Sequence, residues 1–378
     1  MIFGVLLLML GAACPGMKAT ADERPRLREF GLKSGVLTPG ALNAITDVAG
    51  VKVGHTTLIR GRDVRTGVTA ILPHDGNLFQ DKVPGAVAVA NGFGKLMGVT
   101  QVEEMGTIET PIILTNTLSV PEAAAAVIEY TLAHPGNESV QSVNALVGET
   151  NDGYLNDIRR RQVRKEHVLE AIAKAVGGPV EEGCVGAGTG TVCFDFKGGI
   201  GTSSRKLPAE SGGWTVGVLV QTNHGGILQL AGLPVGERLR NSIPAKDAGA
   251  KPDGSCMVIV ATDAPLDSRN LERLARRALL GIARTGGYYS NGSGDYAIAF
   301  STAREVRTPQ RSGSPTRSVV LLQDSGMSPL FLAAAEASEE AILNSLFRAR
   351  RMDGRDGRAV DPLPLDLVKE LAGEKTRR

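Results

Sequence analysis

The chain is poor in the residues that mark several common functional classes. Aromatic side chains make up 4% of its 378 residues, with a single Trp, so the sequence does not indicate base-stacking platforms for nucleic acid. Its 42 basic and 40 acidic side chains nearly cancel, which removes the electrostatic signature of a nucleic-acid-binding protein. The 42% hydrophobic content is typical of a globular protein, with length for one large domain or two ordinary ones.

Cysteine and histidine are also scarce, and neither is spaced for metal binding. The cysteines are Cys14, Cys184, Cys193 and Cys256, with no CxxC pair among them. Cys14 falls in the expected leader, so we expect three free thiols, with a Cys184–Cys193 disulfide as the alternative. The five histidines form no HExxH motif, and no Gly-x-Ser-x-Gly elbow is present. The residues therefore predict neither a metal site nor a Ser/His/Asp triad.

The first residues have most features of a signal peptide. Residues 2–10 are an apolar run too short to span a bilayer, and an A-x-A pattern ends at Ala21. Lys and Arg are missing before this run, and a misassigned start codon or a short apolar tail is the alternative. We predict a leader over residues 1–21 and a periplasmic or secreted protein, with a cytoplasmic location as the alternative.

The remaining chain has no repeat and no low-complexity linker, and its 47 glycines predict many tight turns. Apolar runs predict strands at 48–58, 67–72, 85–90, 214–221, 257–261 and 296–302. Helical spacing predicts helices at 121–133, 157–176, 268–285 and 329–350. Strands and helices in mixed order indicate a layered α+β domain. Residues from about 351 onwards are charged, and we expect them to form a tail.

A glycine-rich stretch at 185–191 superficially resembles a phosphate-binding loop. Such a loop should open a helix, whereas residues 192–196 have the pattern of a strand. We therefore interpret the stretch as a strand connection.

Residues 251–263 hold the main catalytic candidate. A turn is predicted at 252–254 and a buried strand at 257–261, which places Ser255 at the mouth of the strand. Taken alone, this pattern is typical of a hairpin turn. If the Gly254–Ser255 bond were cut, however, Ser255 would gain a free α-amine with a pKa of about 7.7–8.0, able to accept a hydroxyl proton. That chemistry needs no histidine.

Two polar segments complement this nucleophile. Asn223 ends the apolar run 217–223, where its amide could stabilise an oxyanion, or it could simply form a turn. Its neighbour His224 is more typical of a structural hydrogen-bonding group. Ser293 and Asp295 stand two residues apart, so an extended segment places both on one face, where they could orient an amine. A polar turn is the alternative.

A third polar segment covers residues 148–154 and includes Glu149 and Tyr154. A carboxylate there could pair with a substrate ammonium group. The alternative is a solvated turn.

These segments together resemble the L-aminopeptidase/D-esterase and β-peptidyl aminopeptidase family of self-processing N-terminal nucleophile hydrolases. The resemblance spans about residues 32–324. It rests on residues 39–51, 148–156, 218–223, 253–266 and 291–302.

The resemblance implies a single domain with a four-layer αββα sandwich, made as a precursor that cleaves itself into two chains. These would be residues 22–254 and 255–378. It also implies a cofactor-free, metal-free enzyme that assembles as a tetramer of processed heterodimers, although family members are often intracellular. By this resemblance Ser255 is the nucleophile and Asn223 the oxyanion donor. Ser293 and Asp295 are the pair that assists the nucleophile. Tyr154 is an active-site tyrosine, and Glu149 binds the substrate amine.

The implied reaction is acyl transfer from small N-terminal residues of peptides, amides or esters through an acyl-enzyme on Ser255. One alternative is an endo-amidase of the nylon-oligomer hydrolase type, against which Ser255 argues because that group uses Thr. The other is an unprocessed, non-catalytic binding or structural protein with the same fold. The preference for L-, D- or β-residues depends on loops such as 91–96 and is not predicted.

Overall fold

A computed structural model describes residues 24–241, 254–311 and 313–375. In chain order the strands are β1 (Lys52–Arg60), β2 (Val64–Leu72), β3 (Asp81–Gly92), β4 (Thr107–Ile108), β5 (Ile112–Asn116), β6 (Leu146–Thr150), β7 (Val192–Cys193), β8 (Phe196–Lys197), β9 (Ile200–Lys206), β10 (Thr215–Asn223), β11 (Gln229–Leu230), β12 (Leu233–Pro234), β13 (Ser255–Thr262), β14 (Gly294–Ser301), β15 (Thr308–Pro309), β16 (Met352–Asp353) and β17 (Ala359–Val360). The helices are α1 (Val99–Met105), α2 (Val120–Leu132), α3 (Lys165–Ala173), α4 (Gly236–Arg240), α5 (Ser268–Ala278), α6 (Leu280–Arg284), α7 (Met327–Arg348) and α8 (Leu365–Lys375).

Two stacked sheets form the centre of the molecule. The smaller has the strand order β1-β2-β5-β6. The larger has the order β15-β3-β14-β13-β10-β9, with β4 paired to β3. At its middle, β13 runs antiparallel to β10 and parallel to β14.

Alternation along β13 shows how the large sheet is covered on both faces. Cys256 and Val258 belong to the core that includes helices α5 and α7. Met257 and Ile259 instead pack in the core shared with the small sheet. Because successive side chains of a strand point to opposite faces, a strand covered on both sides reads as a continuous apolar run.

The small sheet is covered in the same way. Ile112 and Leu114 of β5 face the large sheet, whereas Ile113 packs in a third core with residues of α2 and α3. The order of layers is therefore helices, large sheet, small sheet, helices. The predicted αββα sandwich is confirmed.

Two predicted helices are shorter or interrupted. The helix expected at 157–176 is reduced to α3, because Arg161 adopts a left-handed conformation (φ 48°) after a 3-10 turn at Ile158–Arg160. The helix expected at 268–285 divides into α5 and α6 around Leu279. Gly281 then lies so close to α7 that an added Cβ would be 2.5 Å from Ser338 Cβ.

The expectation of a charged tail from about residue 351 is wrong for the residues described. Strands β16 and β17 form a small hairpin, and α8 follows. Leu363 and Val368 are fully buried in the core beneath α7. The mean charge of this segment hid a few well-spaced apolar side chains that anchor it.

Some expectations fall outside the described residues: the leader at 1–21, Cys14, and Pro252 and Asp253 of the predicted turn. Among the described cysteines, Cys184, Cys193 and Cys256 are free, as expected, although Cys184 is only half-buried. Across residues 24–241, 254–311 and 313–375, no helix has the length and apolar character that crossing a bilayer requires.

Candidate active site

Ser255 and Asn223 meet where two adjacent inner strands of the large sheet begin and end. Ser255 is the first residue of β13, and Asn223, the last residue of β10, is its direct partner in the antiparallel register. Alternation places the Ser255 side chain on the same face as Met257, toward the small sheet. Both residues line a cavity of about 710 Å³.

Gly254 sits where no other residue fits. A Cβ added to it would lie 2.1 Å from the carbonyl oxygen of Asn223 and 2.5 Å from Cα of His224. The Gly254 carbonyl accepts a hydrogen bond of 3.1 Å from the N–H of Gly294. The bond between Gly254 and Ser255 is thus buried, tightly enclosed and polarised by a backbone donor.

The orientation of the Asn223 amide is set by a hydrogen bond with the main chain of Val192. Its Oδ1 accepts a 3.0 Å hydrogen bond from the Val192 N–H. That contact engages the oxygen, and no hydrogen bond of Nδ2 is found among the described residues, so its donors are left for a ligand in the cavity that Asn223 and Ser255 both line. The turn-forming alternative for Asn223 is not what is found, since the residue ends a strand and is buried.

Asp295 lies on the neighbouring strand β14 and Ser293 just before it, and both are behind Ser255. Asp295 pairs in register with Cys256, whose side chain faces the helices. Burial raises the pKa of the Asp295 carboxyl to about 6, although the nearby Ser293 hydroxyl and Cys256 N–H act to lower it. Neither approach has full hydrogen-bond geometry: Ser293 Oγ and both Asp295 oxygens are buried without a hydrogen-bond partner among the described residues. The pair therefore lies beside the Ser255 main chain rather than in the cavity.

Glu149 is buried, and the solvated-turn alternative for it is wrong. It lies in β6 with 3% of its surface exposed. Its oxygens accept hydrogen bonds from the Thr117 hydroxyl and, at 3.0 Å, from the Lys95 N–H. Burial raises the pKa of Glu149, and these hydrogen bonds act in the opposite direction. The carboxyl lines the same cavity as Ser255.

Tyr154 lines the cavity from the loop after β6. The guanidinium of Arg358, from the C-terminal hairpin, lies 5.1 Å from the centre of its ring. Arg358 Nη1 also donates a 3.2 Å hydrogen bond to the Tyr154 carbonyl. The hairpin thus forms part of one cavity wall, which its charged sequence did not suggest.

His224 has the structural character expected of it. It is buried against the edge of the Phe194 ring, with centroids 5.0 Å apart, and beside Cys193. Burial lowers its pKa to about 4, so it is neutral near pH 7. It lines the cavity, and within residues 24–241, 254–311 and 313–375 it has no carboxylate partner that would make it a catalytic base.

The glycine-rich stretch is a strand connection, as interpreted. Gly186–Gly188 forms a 3-10 turn whose N–H groups are already used. Gly186 donates to Thr57 Oγ1 and Ala187 to Thr69 Oγ1, at 2.8 and 3.1 Å. No group of three or more His, Cys, Asp or Glu in the described ranges is placed to hold a metal.

Several cavity residues escaped the sequence reasoning. They come from segments far apart in the chain, and nothing local distinguishes them from ordinary surface or core residues. The loop 91–96 was noted only as a shaping element. They are Phe93, Lys95, Thr117, Phe194, Asp195 and Arg358.

Comparison with known proteins identifies the family of the chain. The model of peptidase family S58 matches residues 43–360. The β-peptidyl aminopeptidase BapA of Sphingosinicella microcystinivorans is 42% identical over 369 residues, covering 92% of this chain and 91% of that protein.

Solved structures give the same result. A β-aminopeptidase from Burkholderia sp. superimposes with a TM-score of 0.87 at 42% identity, covering 93% of this chain and 99% of that one. The L-aminopeptidase D-Ala-esterase/amidase of Ochrobactrum anthropi, described as a prototype serine aminopeptidase and a variant of the Ntn hydrolase fold, gives 0.86 at 35% identity, covering 94% and 99%. The chain therefore belongs to peptidase family S58 and is an aminopeptidase with the N-terminal nucleophile hydrolase fold.

Proposed function

We propose that the chain cleaves itself between Gly254 and Ser255 and that Ser255 then acts as the nucleophile. The observation that carries this proposal is the register of β10 and β13, which sets Ser255 directly opposite Asn223 in the wall of the cavity. A nucleophile and an amide donor at adjacent strand ends are two of the groups that acyl transfer uses, and the amine freed by cleavage would supply the base.

The surroundings of Gly254 support self-cleavage. Attack by Ser255 Oγ on the Gly254 carbonyl carbon converts the peptide to an ester and frees the Ser255 amine. The Gly294 N–H, which already donates to the Gly254 oxygen, stabilises the negative charge that develops there. Water then hydrolyses the ester, giving chains that end at Gly254 and begin at Ser255.

In the mature enzyme, the Ser255 amine takes the proton of Oγ as Oγ attacks the substrate carbonyl. Asn223 Nδ2 donates to the oxyanion, and the leaving amine departs with a proton. Water releases the N-terminal residue from the acyl-enzyme. Asp295 and Ser293, buried behind the strand with free hydrogen-bonding capacity, orient the new amine and balance its charge.

The substrates we propose are short peptides, amides or esters with a small N-terminal α- or β-amino acid. Glu149 is the cavity carboxyl suited to the substrate ammonium group, and Tyr154 contacts the bound chain. The names of the relatives, a β-peptidyl aminopeptidase and an L-aminopeptidase D-Ala-esterase/amidase, support this range. No metal or organic cofactor takes part in the proposed chemistry.

The organisation of the mature protein is part of the same proposal. Residues 1–21 are removed as a leader, residues 22–254 and 255–378 remain associated as two chains of one domain, and the enzyme is periplasmic or secreted. Such heterodimers assemble further into a tetramer. The support is the leader pattern of the sequence and the family membership.

Ser255→Ala tests the proposed role of Ser255. The variant should remain one chain and lose activity on an alanine amide by about 10⁴-fold or more. Cys256→Ala is the matched control, because the adjacent thiol faces the helices, and it should be processed and active. Hydrolysis by the Ser255→Ala chain would show that another group is the nucleophile. An active wild-type chain that stays uncut would contradict the processing proposal, and an inactive uncut chain would favour the non-catalytic binding alternative.

A further inference from the structure

Arg358 is an unassigned cation in the wall of the substrate cavity. It comes from the C-terminal hairpin of β16 and β17, and its side chain is 40% exposed. The guanidinium donates one hydrogen bond to the Tyr154 carbonyl. A guanidinium has five N–H donors, and the N–H groups beyond this one have no hydrogen-bond partner among the described residues.

The charge of Arg358 is only weakly neutralised. Its nearest acidic oxygen, on Asp356, is 3.8 Å from Nη2. The same Asp356 oxygen is held more closely, at 2.9 Å, by Arg355 Nε. A positive charge that shares its counterion with a closer arginine is available to a ligand anion.

The other charged groups of the cavity are differently engaged. Glu149 accepts hydrogen bonds from Thr117 and from the Lys95 N–H, and Asp195 forms an ion pair of 3.1 Å with Arg240. The Lys95 ammonium lies 5.7 Å from the Phe93 ring centre, on the Glu149 side of the cavity. Among the described cavity residues, Arg358 is thus the cation held next to Tyr154, whereas the Lys95 main chain binds Glu149.

The residues that hold Glu149 and the residues that surround Arg358 come from different parts of the chain. Glu149 is held by the loop after β3 and by the 3-10 turn that precedes α2. Tyr154 and Val192 pack instead on the C-terminal hairpin, and Val192 orients Asn223. A substrate with its ammonium group at Glu149 and its carbonyl at Ser255 would reach Arg358 if its leaving group lay along Tyr154 and Val192, which line the same cavity.

We infer that Arg358 binds the free C-terminal carboxylate of a short peptide substrate and makes this enzyme prefer dipeptides over the corresponding amides. A guanidinium next to an aromatic ring suits a carboxylate, since it offers paired donors in a fixed plane. The cavity of about 710 Å³ has room for the residue beyond the cleaved bond. This inference rests on the proposed function of Ser255.

The test compares a dipeptide ending in alanine with its C-terminal amide, both with the same N-terminal residue. For Arg358→Gln we expect kcat/KM on the free dipeptide to fall about tenfold, mostly through KM, because the interaction binds ground and transition states alike. The change on the amide should stay below about twofold. Raising the salt concentration should reduce the wild-type preference for the free dipeptide, since the guanidinium is partly exposed.

Arg351→Gln is the matched control, because Arg351 adjoins the same hairpin but pairs with Asp353 and Asp361 rather than Asp356, and it does not line the cavity. It should leave both substrates unchanged. An equal loss on both substrates for Arg358→Gln would reduce Arg358 to a support for Tyr154 and overturn the inference. No loss, or a selective loss for Lys95→Gln instead, would also overturn it. If wild-type protein hydrolyses neither substrate, the failure lies with the proposed function.

Discussion

Two regions of the large sheet bury polar side chains, and they do so in opposite ways. Between β9 and α7, the fully buried Arg205 donates to both Glu336 and Glu340, at 3.1 and 2.8 Å. Around β13 and β14, Ser293 and Asp295 are as deeply buried but have no hydrogen-bond partner among the described residues.

The difference separates stability from function. In the first region, Glu340 also receives hydrogen bonds from Arg28 and Asn43, and Glu336 receives the N–H groups of residues 36 and 37. Each charged side chain of this network has a partner, so the network fixes the N-terminal segment against α7. In the second region, unused hydrogen-bonding capacity costs stability and is retained where an amine would form.

The largest expected effect comes from breaking the satisfied network. Glu340→Ala removes the buried carboxylate that Arg205, Arg28 and Asn43 share and leaves Arg205 with Glu336 as its remaining carboxylate partner among the described residues, which should lower the free energy of unfolding by about 3–5 kcal/mol. Denaturant unfolding measures this, and the activity per folded molecule should not change.

Glu272→Ala is the surface control for that variant, because it removes an exposed ion pair with Arg276 and should cost less than about 0.5 kcal/mol. Similar losses for the two variants would contradict the contrast between the network and the surface.

The next effect is on the catalytic side of the comparison. Asn223→Ala should lower kcat by about 10²–10³-fold, equivalent to about 2.7–4 kcal/mol, with little change in KM, because the oxyanion exists only in the transition state. Steady-state kinetics on an alanine amide measure it. A raised KM with kcat unchanged would instead make Asn223 a substrate-binding residue. Thermal unfolding checks that losing the Val192 hydrogen bond leaves the fold intact.

The smallest expected effect is a gain in stability. Asp295→Asn in the uncut Ser255→Ala background removes a carboxyl whose pKa is raised by burial to about 6, above the usual 3.8. Below pH 3.8 both states are protonated and the carboxyl costs nothing. As the pH rises from 3.8 to 6, the carboxyl ionises in the unfolded state while it stays largely protonated in the folded state, so the folded state loses stability. The advantage of Asn over Asp should therefore grow to about 1–3 kcal/mol at pH 7.5.

Urea unfolding of the two proteins from pH 4 to 8 follows this difference. An advantage that shrinks with rising pH would mean that Asp295 is stabilised as a carboxylate, and the two buried regions would then not differ as described. The same substitution in the Ser255 protein should lower activity.

Much of the fold follows from the sequence. The β13 run was predictable because a strand covered on both faces is apolar at every position. The segment after residue 351 was not, because Leu363 and Val368 are isolated among charges and their burial depends on α7. The start of α3 was missed because a single left-handed residue, Arg161, is invisible to helical periodicity.

The candidate site was also only partly predictable from the sequence. Ser255, Asn223 and Glu149 stand at strand ends, where local pattern and family resemblance both point. The placement of Asp295 behind Ser255 required the register of β13 and β14, which sequence spacing does not give. Arg358 was missed because its contact with Tyr154 joins residues 204 positions apart.

Intact mass and N-terminal sequencing of an active preparation test the central claim most directly. The account predicts two associated chains, the second beginning with Ser255. A fully active protein made only of uncut chain would contradict it.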